Sequence, residues 1–503
     1  MAINQLKAGA VLSYISIGLN NIIGLTYTPF MLRMMGQSEY GLYSLVASVV
    51  SYLTVLDLGF ANAIVRYTAK FRAEGKVREQ YEMFGMFFLL YIGISILTLF
   101  VGSILYFNID TLFNQSMNET ELYKIRIMML LMIFNLAFTF PMSIWGAIIT
   151  AYENFVFQKL VNIIRIILNP IVMIIMLLMG YRAIGMVVVT TAFNVVTLLI
   201  NWWYCRNKLH IQVLFGQFKW GFFKEVSVYS FWIFLNVIMD RIYWSTGQFV
   251  LGMFKGAATV AVYAVAIQLQ TIYMGFSTAI SGVFLPKVTG MVTRNNSEKE
   301  ISDLFIRTGR IQYIIMAFIL TGFIVFGKYF ILIWAGPDYE QSYWIALCFF
   351  IPLTVPLIQN LGITILQARN QMKFRSIVYI LIAFVSLFIS IPMAKQYGGI
   401  GCAIGTSIAL IAGQIIIMNI YYYRKIHIDI PSFWKEIVKM SIIPLVLGIL
   451  FSYLFMRYKL TTSFLLIGGI LFFSIIYIPL FFKYSMNIYE KELVKSTIKN
   501  ILK

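Results

Sequence analysis

The chain has few of the residues on which soluble enzymes and metal proteins depend. Its 503 residues include three cysteines and two histidines. Cys205, Cys348 and Cys402 stand far apart with no CxxC pair, so neither a disulfide framework nor a zinc site is expected. Charge is also scarce: 12% of residues are Asp, Glu, Lys or Arg, against about a quarter in an ordinary soluble domain. Acids are the scarcer sign, 20 against 39 basic residues, for a net charge of +19. The sequence shows no Walker A loop, no HExxH and no GxSxG with triad partners, so no enzyme constellation is visible and ATP-driven work would need a separate subunit.

What the chain does have is apolar sequence. Sixty per cent of its residues are hydrophobic, more than a water-soluble fold of this length can hide. Runs long enough to span a bilayer, about 17 to 25 residues each, lie near 8–32, 40–65, 83–107, 125–150, 161–179 and 185–204 in the first half. The second half adds 227–251, 257–285, 311–334, 343–367, 376–394, 400–421, 441–456 and 461–482. The first run is too long for a signal core and no small-x-small site clearly follows it, so cleavage is not expected. The expected fold is an all-α polytopic membrane protein of about fourteen transmembrane helices.

The excess of basic residues lies in short connections between these runs, not in one nucleic-acid-binding patch. With both termini on the cytoplasmic side, about 28 Lys and Arg fall inside and about seven outside, the bias that orients membrane helices. The predicted location is therefore the cytoplasmic membrane, with membrane lipid as surroundings and no nucleic-acid partner.

The second half repeats the first at an offset of 216 to 220 residues. Gly180 to Gly185 meets Gln396 to Gly401, Ala151 to Phe157 meets Ala368 to Phe374, and Tyr43 meets Tyr263. The aromatic-basic helix ends place His210 on His427, and these are the only two histidines. Aromatic and basic residues recur at every inner membrane face, which is the bland explanation; the kept order and nearly constant offset favour duplication. An even number of spans per copy predicts two parallel six-helix lobes, 1–210 and 211–430, with two further spans and a tail in 431–503.

Ionisable and amide side chains inside the spans are the candidate site residues, because burying them in hydrocarbon costs several kcal/mol. In the seventh span, Asn236, Asp240, Tyr243 and Gly247 follow i, i+4, i+7 and i+11, with Arg241 beside Asp240. Read functionally, Asp240 is a proton or cation site and Arg241 a counter-ion for an anionic substrate. Read structurally, they form a packing ion pair. In the fifth span, Asn162, Arg165 and Asn169 share a face ahead of Pro170. That suits a phosphate-bearing ligand, while Arg165 also lies within snorkelling reach of the inner interface. Ser13, Ser16, Asn20 and Gly24 line one face of the first span, where helix-packing polar residues are the competing explanation. Asn360, Thr364 and Gln367 follow Pro352 and Pro356 in the tenth. Asp57 lies some two turns from Arg66, Lys70 and Arg72, as a functional acid or an interfacial one.

Gly36-Gln-Ser-Glu-Tyr-Gly-Leu-Tyr-Ser-Leu45 and Leu56-Asp-Leu-Gly-Phe-Ala-Asn-Ala-Ile-Val-Arg-Tyr67 resemble the N-terminal signature of bacterial polysaccharide-export flippases of the Wzx type. These belong to the superfamily of multidrug, oligosaccharidyl-lipid and polysaccharide exporters. The resemblance implies a MATE-like fold with a V-shaped pair of lobes, alternating access, and a cationic cavity to which Arg33, Arg66, Arg165 and Arg241 could contribute. It also implies a substrate of undecaprenyl-diphosphate-linked oligosaccharide and coupling to H+ or Na+ through Asp240 or Asp57. A polysaccharide polymerase and a chain-length regulator would be its working partners, and no further cofactor is implied. Competing readings keep the fold but export organic cations or flip the peptidoglycan precursor. A third makes the chain a membrane polymerase or glycosyltransferase, for which the short outside connections leave no large extracellular loop.

Overall fold

The computed structural model describes residues 5–216, 220–281, 288, 290–291, 294, 297–369, 371–457, 460 and 462–501. Each of the fourteen apolar runs falls on helix, the eighth as far as Ser281, and no strand occurs among the described residues. Among the described residues eleven helical stretches are long and apolar enough to cross a bilayer. One of these, Met372–Arg424, contains two of the sequence runs. The runs 8–32 and 227–251 lie in two further helices, Gln5–Met35 and Trp220–Lys255. The all-α polytopic expectation is thus met.

The chain forms two compact units, Met1–Ala261 and Val262–Lys503. The first unit holds α1 (Gln5–Met35), α2 (Gln37–Leu53), α3 (Phe60–Ala73), α4 (Val77–Phe107), α5 (Ile109–Phe113), α6 (Glu119–Ala151), α7 (Phe155–Leu178), α8 (Ala183–Asn207) and α9 (Trp220–Lys255). Its helix pairs include α6 with α8 and α4, α1 with α7, and α9 with α2 and α3. A buried core of Phe60, Phe84, Phe87, Tyr91, Phe140 and Trp145 joins α3, α4 and α6. α10 (Ala257–Ser281) begins at the end of this unit and continues into the second.

The second unit adds α11 (Glu298–Trp334), α12 (Gln341–Ile358), α13 (Leu361–Ala368), α14 (Met372–Leu410), α15 (Met418–Arg424), α16 (Ile430–Arg457), α17 (Ser463–Tyr484) and α18 (Ile488–Ile501). α14 holds two spans end to end, joined at Gly398 with φ 60° and ψ −139°, which a residue without Cβ adopts readily. Arg310 of α11 is buried and forks onto Glu490 of α18, with Nε to Oε1 at 2.6 Å and Nη2 to Oε2 at 2.9 Å. Its Nη1 donates to Glu436 of α16 at 2.6 Å. One guanidinium therefore ties the last helix to the rest of its unit.

The outward faces are apolar. Phe464 is 85% exposed, Phe388 78% and Ile449 72%. Water would penalise such surfaces and hydrocarbon does not, so the outer faces fit a lipid solvent.

The duplication is visible in local structure. Phe157 stacks on Tyr204 at 3.7 Å and 13°, and Phe374 on Tyr421 at 4.1 Å and 16°. His210 and His427 both take left-handed backbone, φ 50° and 58°. Just beyond them Ile211 N donates to Cys205 O and Ile428 N to Tyr422 O, each at 3.0 Å. All of these pairs are 217 residues apart. Gly185 and Gly401, each pressed on the Cβ of a tyrosine four residues earlier, are 216 apart. The second copy therefore carries one extra residue between Gly401 and Tyr421, and residues Ile411–Ile417 form a π-helix there. The wider π turn lets a helix take in an inserted residue while the residues beyond it keep their register.

Candidate functional site

The clearest local departure from regular helix lies within the second span. α2 ends at Leu53, a 3-10 turn covers Thr54–Asp57, Leu58 and Gly59 are left-handed with φ 52° and 74°, and α3 starts at Phe60. Gly59 takes that conformation at no steric cost; Leu58 does not, and a non-glycine residue held there marks a constrained turn. The break frees backbone groups at the level of a half-buried carboxylate, Asp57. Tyr91 of α4 donates its hydroxyl to Asp57 Oδ1 at 2.9 Å. The phenol is buried and is fixed in turn by stacking on Phe140 and an edge contact with Phe60.

The duplication provides an internal comparison. At the offset of 220 that pairs Tyr43 with Tyr263, the second copy has Ser277-Thr278-Ala279 in place of Asp57-Leu58-Gly59, and α10 runs on as regular helix. Break and acid are absent together.

α9 lies against the turn. Ser51 Oγ donates to Ser245 Oγ at 2.9 Å on one side of it, and Tyr67 OH to Glu225 Oε1 at 2.9 Å on the other. The turn therefore faces the stretch of α9 carrying Asp240 and Arg241. Asp240 is exposed, whereas Tyr243 and Gly247 are buried. Arg241 is half-buried, and its Nε is buried with no hydrogen-bond partner. The side chain of Asn236 lies outside the described residues.

A second polar group centres on Arg165 of α7. Its Nη1 donates to Asn194 Oδ1 of α8 at 3.5 Å, a long contact, while Asn194 Nδ2 donates to Asn135 Oδ1 at 2.8 Å and Thr139 Oγ1 at 2.7 Å, both on α6. Asn135, Thr139 and Asn194 were not among the sequence candidates. Asn135 and Thr139 stand at i, i+4, which could have drawn notice. Asn169 keeps a buried Oδ1 without a partner, and Asn162 and Asn20 are exposed. Ser13 and Ser16 bond back to Gly9 O and Leu12 O of their own helix at 2.8 Å, as helix-packing hydroxyls do. Arg66 is exposed on α3, nine residues past Asp57. Asn360 belongs to the second unit, in a turn between α12 and α13.

The signature residues near the start of α2 serve architecture. Glu39 is buried, pairs with Lys124 of α6, and accepts from Ala183 N at the start of α8 at 3.2 Å. A Cβ on Gly41 would stand 1.8 Å from Ala257 O, so only glycine allows α10 to begin there. Among the described residues no three His, Cys, Asp or Glu side chains are grouped to hold a metal ion.

The fold is that of the flippase and multidrug-transporter class. A structure described as lipid II flippase MurJ in an inward closed conformation matches with a TM-score of 0.70 at 18% identity, over 94% of this chain and 99% of that one. An inward-facing multidrug resistance transporter of the MATE family matches at 0.63 and 12% identity, over 83% and 95%. Residues 6–292 match the polysaccharide biosynthesis protein family, and the chain belongs to that family. The Shigella flexneri protein named "Putative O-antigen transporter" is 21% identical over 411 residues, 80% of this chain and 94% of the relative. The uncharacterized membrane protein EpsK of Bacillus subtilis (strain 168) is 20% identical over 406 residues, 79% of each. The Wzx-type resemblance and the MATE-like fold are both borne out.

Proposed function

We propose that this protein moves undecaprenyl-diphosphate-linked oligosaccharide from the inner to the outer leaflet of the cytoplasmic membrane, for surface polysaccharide assembly, using an ion gradient. The observation that carries the reading is the broken second span, with Asp57 under the Tyr91 hydroxyl and Asp240 and Arg241 on the helix facing it, in a member of the polysaccharide biosynthesis family.

Each group has a chemical task. A diphosphate needs fixed positive charge, which Arg165, Arg241 and Arg66 would supply, while Asn20, Asn162 and Asn169 would offer amide contacts to sugar hydroxyls. Asn194 steadies Arg165 from one side and leaves its other donors for ligand. Asp57 and Asp240 are the acids through which H+ or Na+ would act. When Asp57 is ionised it accepts from Tyr91. When it is protonated it gains an O–H donor and keeps one acceptor oxygen, so the contact between α4 and the broken span loses its charge assistance and weakens. Discontinuous helices of this kind place ion sites at mid-membrane depth in transporters.

The test is reconstitution. Purified protein in proteoliposomes, given a fluorescent lipid-diphosphate oligosaccharide, should expose it to an external sugar-modifying probe faster with an imposed proton or sodium gradient than without. No translocation under either gradient would defeat the reading. Gradient-driven efflux of an organic cation in the same vesicles would favour the multidrug reading that the shared fold allows, although intramembrane arginines oppose a cationic cargo. Polymerised sugar in the vesicles would make the chain an enzyme.

A further inference from the structure

The second unit carries an open cleft of about 740 Å3 between the start of α14 and the end of α15. Its walls are apolar: Phe374, Ile377, Ile417 and Ile420 line it, with Tyr421 stacked on Phe374. Its rim is basic, with Lys373, Arg424 and Lys425 and no acidic residue among the lining side chains. None of the three cations forms an ion pair among the described residues. We infer that this cleft is a binding site for an anionic phospholipid, with its phosphate on Lys373, Arg424 and Lys425 and an acyl chain along Ile377, Ile417 and Ile420.

Two observations select this occupant. The first is complementarity: three cations at the mouth of a slot walled by exposed apolar side chains suit a ligand with a negative head and a hydrocarbon tail, and basic pockets between membrane helices take anionic head groups. The second is the first copy, which shares the aromatic stack and the left-handed histidine turn. At the offset of 217, the first copy has Val156 for Lys373 and Asn207 for Arg424, and keeps only Lys208 for Lys425. Ile420 is replaced by the bulkier Trp203. The equivalent lining positions thus carry three cations in one copy, and one cation with a larger side chain in the other. The slot also begins at the foot of the π segment, since Ile417 is its last residue. The charge belongs to one copy and not to the shared backbone, which a generic inner-face basic fringe does not explain.

The test measures lipid and not transport, so it stands whatever the cargo. Full-length protein in nanodiscs of phosphatidylcholine containing a photoactivatable phosphatidylglycerol should crosslink within residues 371–377 and 417–426. Native mass spectrometry should show phosphatidylglycerol retained in preference to phosphatidylcholine. Replacing all three cations, K373Q/R424Q/K425Q, should weaken that retention by at least about tenfold, since each cation near an anionic head group contributes on the order of a fivefold preference. I420W, which installs the first copy's residue and keeps every charge, should also weaken it. Inorganic phosphate should not displace the lipid. The inference is overturned if wild-type protein shows no preference, if crosslinks fall elsewhere, if retention survives both variants, or if inorganic phosphate competes on equal terms. The wild-type crosslinking decides the matter even where a variant does not fold.

Discussion

Tyr91 Oη and Asp57 Oδ1 stand 2.9 Å apart, and their hydrogen bond is a polar side-chain link from α4 to the interrupted second span. A carboxylate and a phenol in that position make a contact that reads the protonation of the acid. Asp57→Asn should therefore lower gradient-driven translocation at least about tenfold, as loss of a charge-assisted bond would. It should also remove the difference between runs with and without a gradient. Tyr91→Phe, which deletes the same bond, worth about 1.5–3 kcal/mol to a charged group, but leaves the acid in place, should keep the gradient dependence at a reduced rate. Both are checked in the proteoliposome assay; gradient dependence surviving in Asp57→Asn would remove Asp57 from the coupling role.

Arg165 reaches Asn194 through one long contact, and Asn194 is held by Asn135 and Thr139. Asn194→Ala should raise the substrate concentration for half-maximal translocation about five- to tenfold, roughly one hydrogen bond to a charged group, with a smaller change in maximal rate. Arg165→Lys keeps charge but loses the planar fork, and should fall between Asn194→Ala and Arg165→Ala. Equal rates for all three would make the group structural.

Arg310 is the fastening of α18. Removing it leaves Glu490 buried beside an incomplete set of partners, and breaking a buried pair from one side costs about 3–5 kcal/mol. Arg310→Met should lower the thermal midpoint by several degrees and speed amide hydrogen exchange in 488–496. The double replacement Arg310→Met with Glu490→Leu should recover most of the loss. Exchange in α18 unchanged by Arg310→Met would show that other contacts hold it.

Gly41 and Gly468 make a matched pair of substitutions. An alanine at Gly41 drives its Cβ into the carbonyl of Ala257, whereas nothing lies within 4 Å of a Cβ on Gly468. Gly41→Ala should cost about 1–3 kcal/mol, the range for overpacking. Gly468→Ala should be neutral or gain up to about 1 kcal/mol from helix propensity. Thermal unfolding in one detergent compares them directly.

The spans were legible because a bilayer asks for length and apolarity before anything else. The run 376–394 even stops short of the kink at Gly398, where the chain needs positive φ. The interruption at Asp57 was hidden inside the continuous apolar run 40–65, since nothing about leucine announces a left-handed Leu58. The candidate residues were found singly, through the cost of their burial, and their partners were not. Asp57 and Tyr91 are 34 residues apart in sequence, and Arg165 and Asn194 29, and only tertiary packing brings such groups together. The signature around Glu39 and Gly41 was recognisable before its physical reasons were, which are an ion pair, a capped helix and a close approach of backbones.

The π-helix at Ile411–Ile417 bears on how this chain could be re-engineered. Segments exchanged between the halves would keep their register only if the surplus residue travelled with its widened turn or was deleted along with it. A chimera cut inside 402–420 without that adjustment would rotate Tyr421 by about 100°, one helical residue, and turn it off Phe374. Between Gly401 and Tyr421 the halves are cut to different lengths, and an exchange across that stretch has to carry the difference with it.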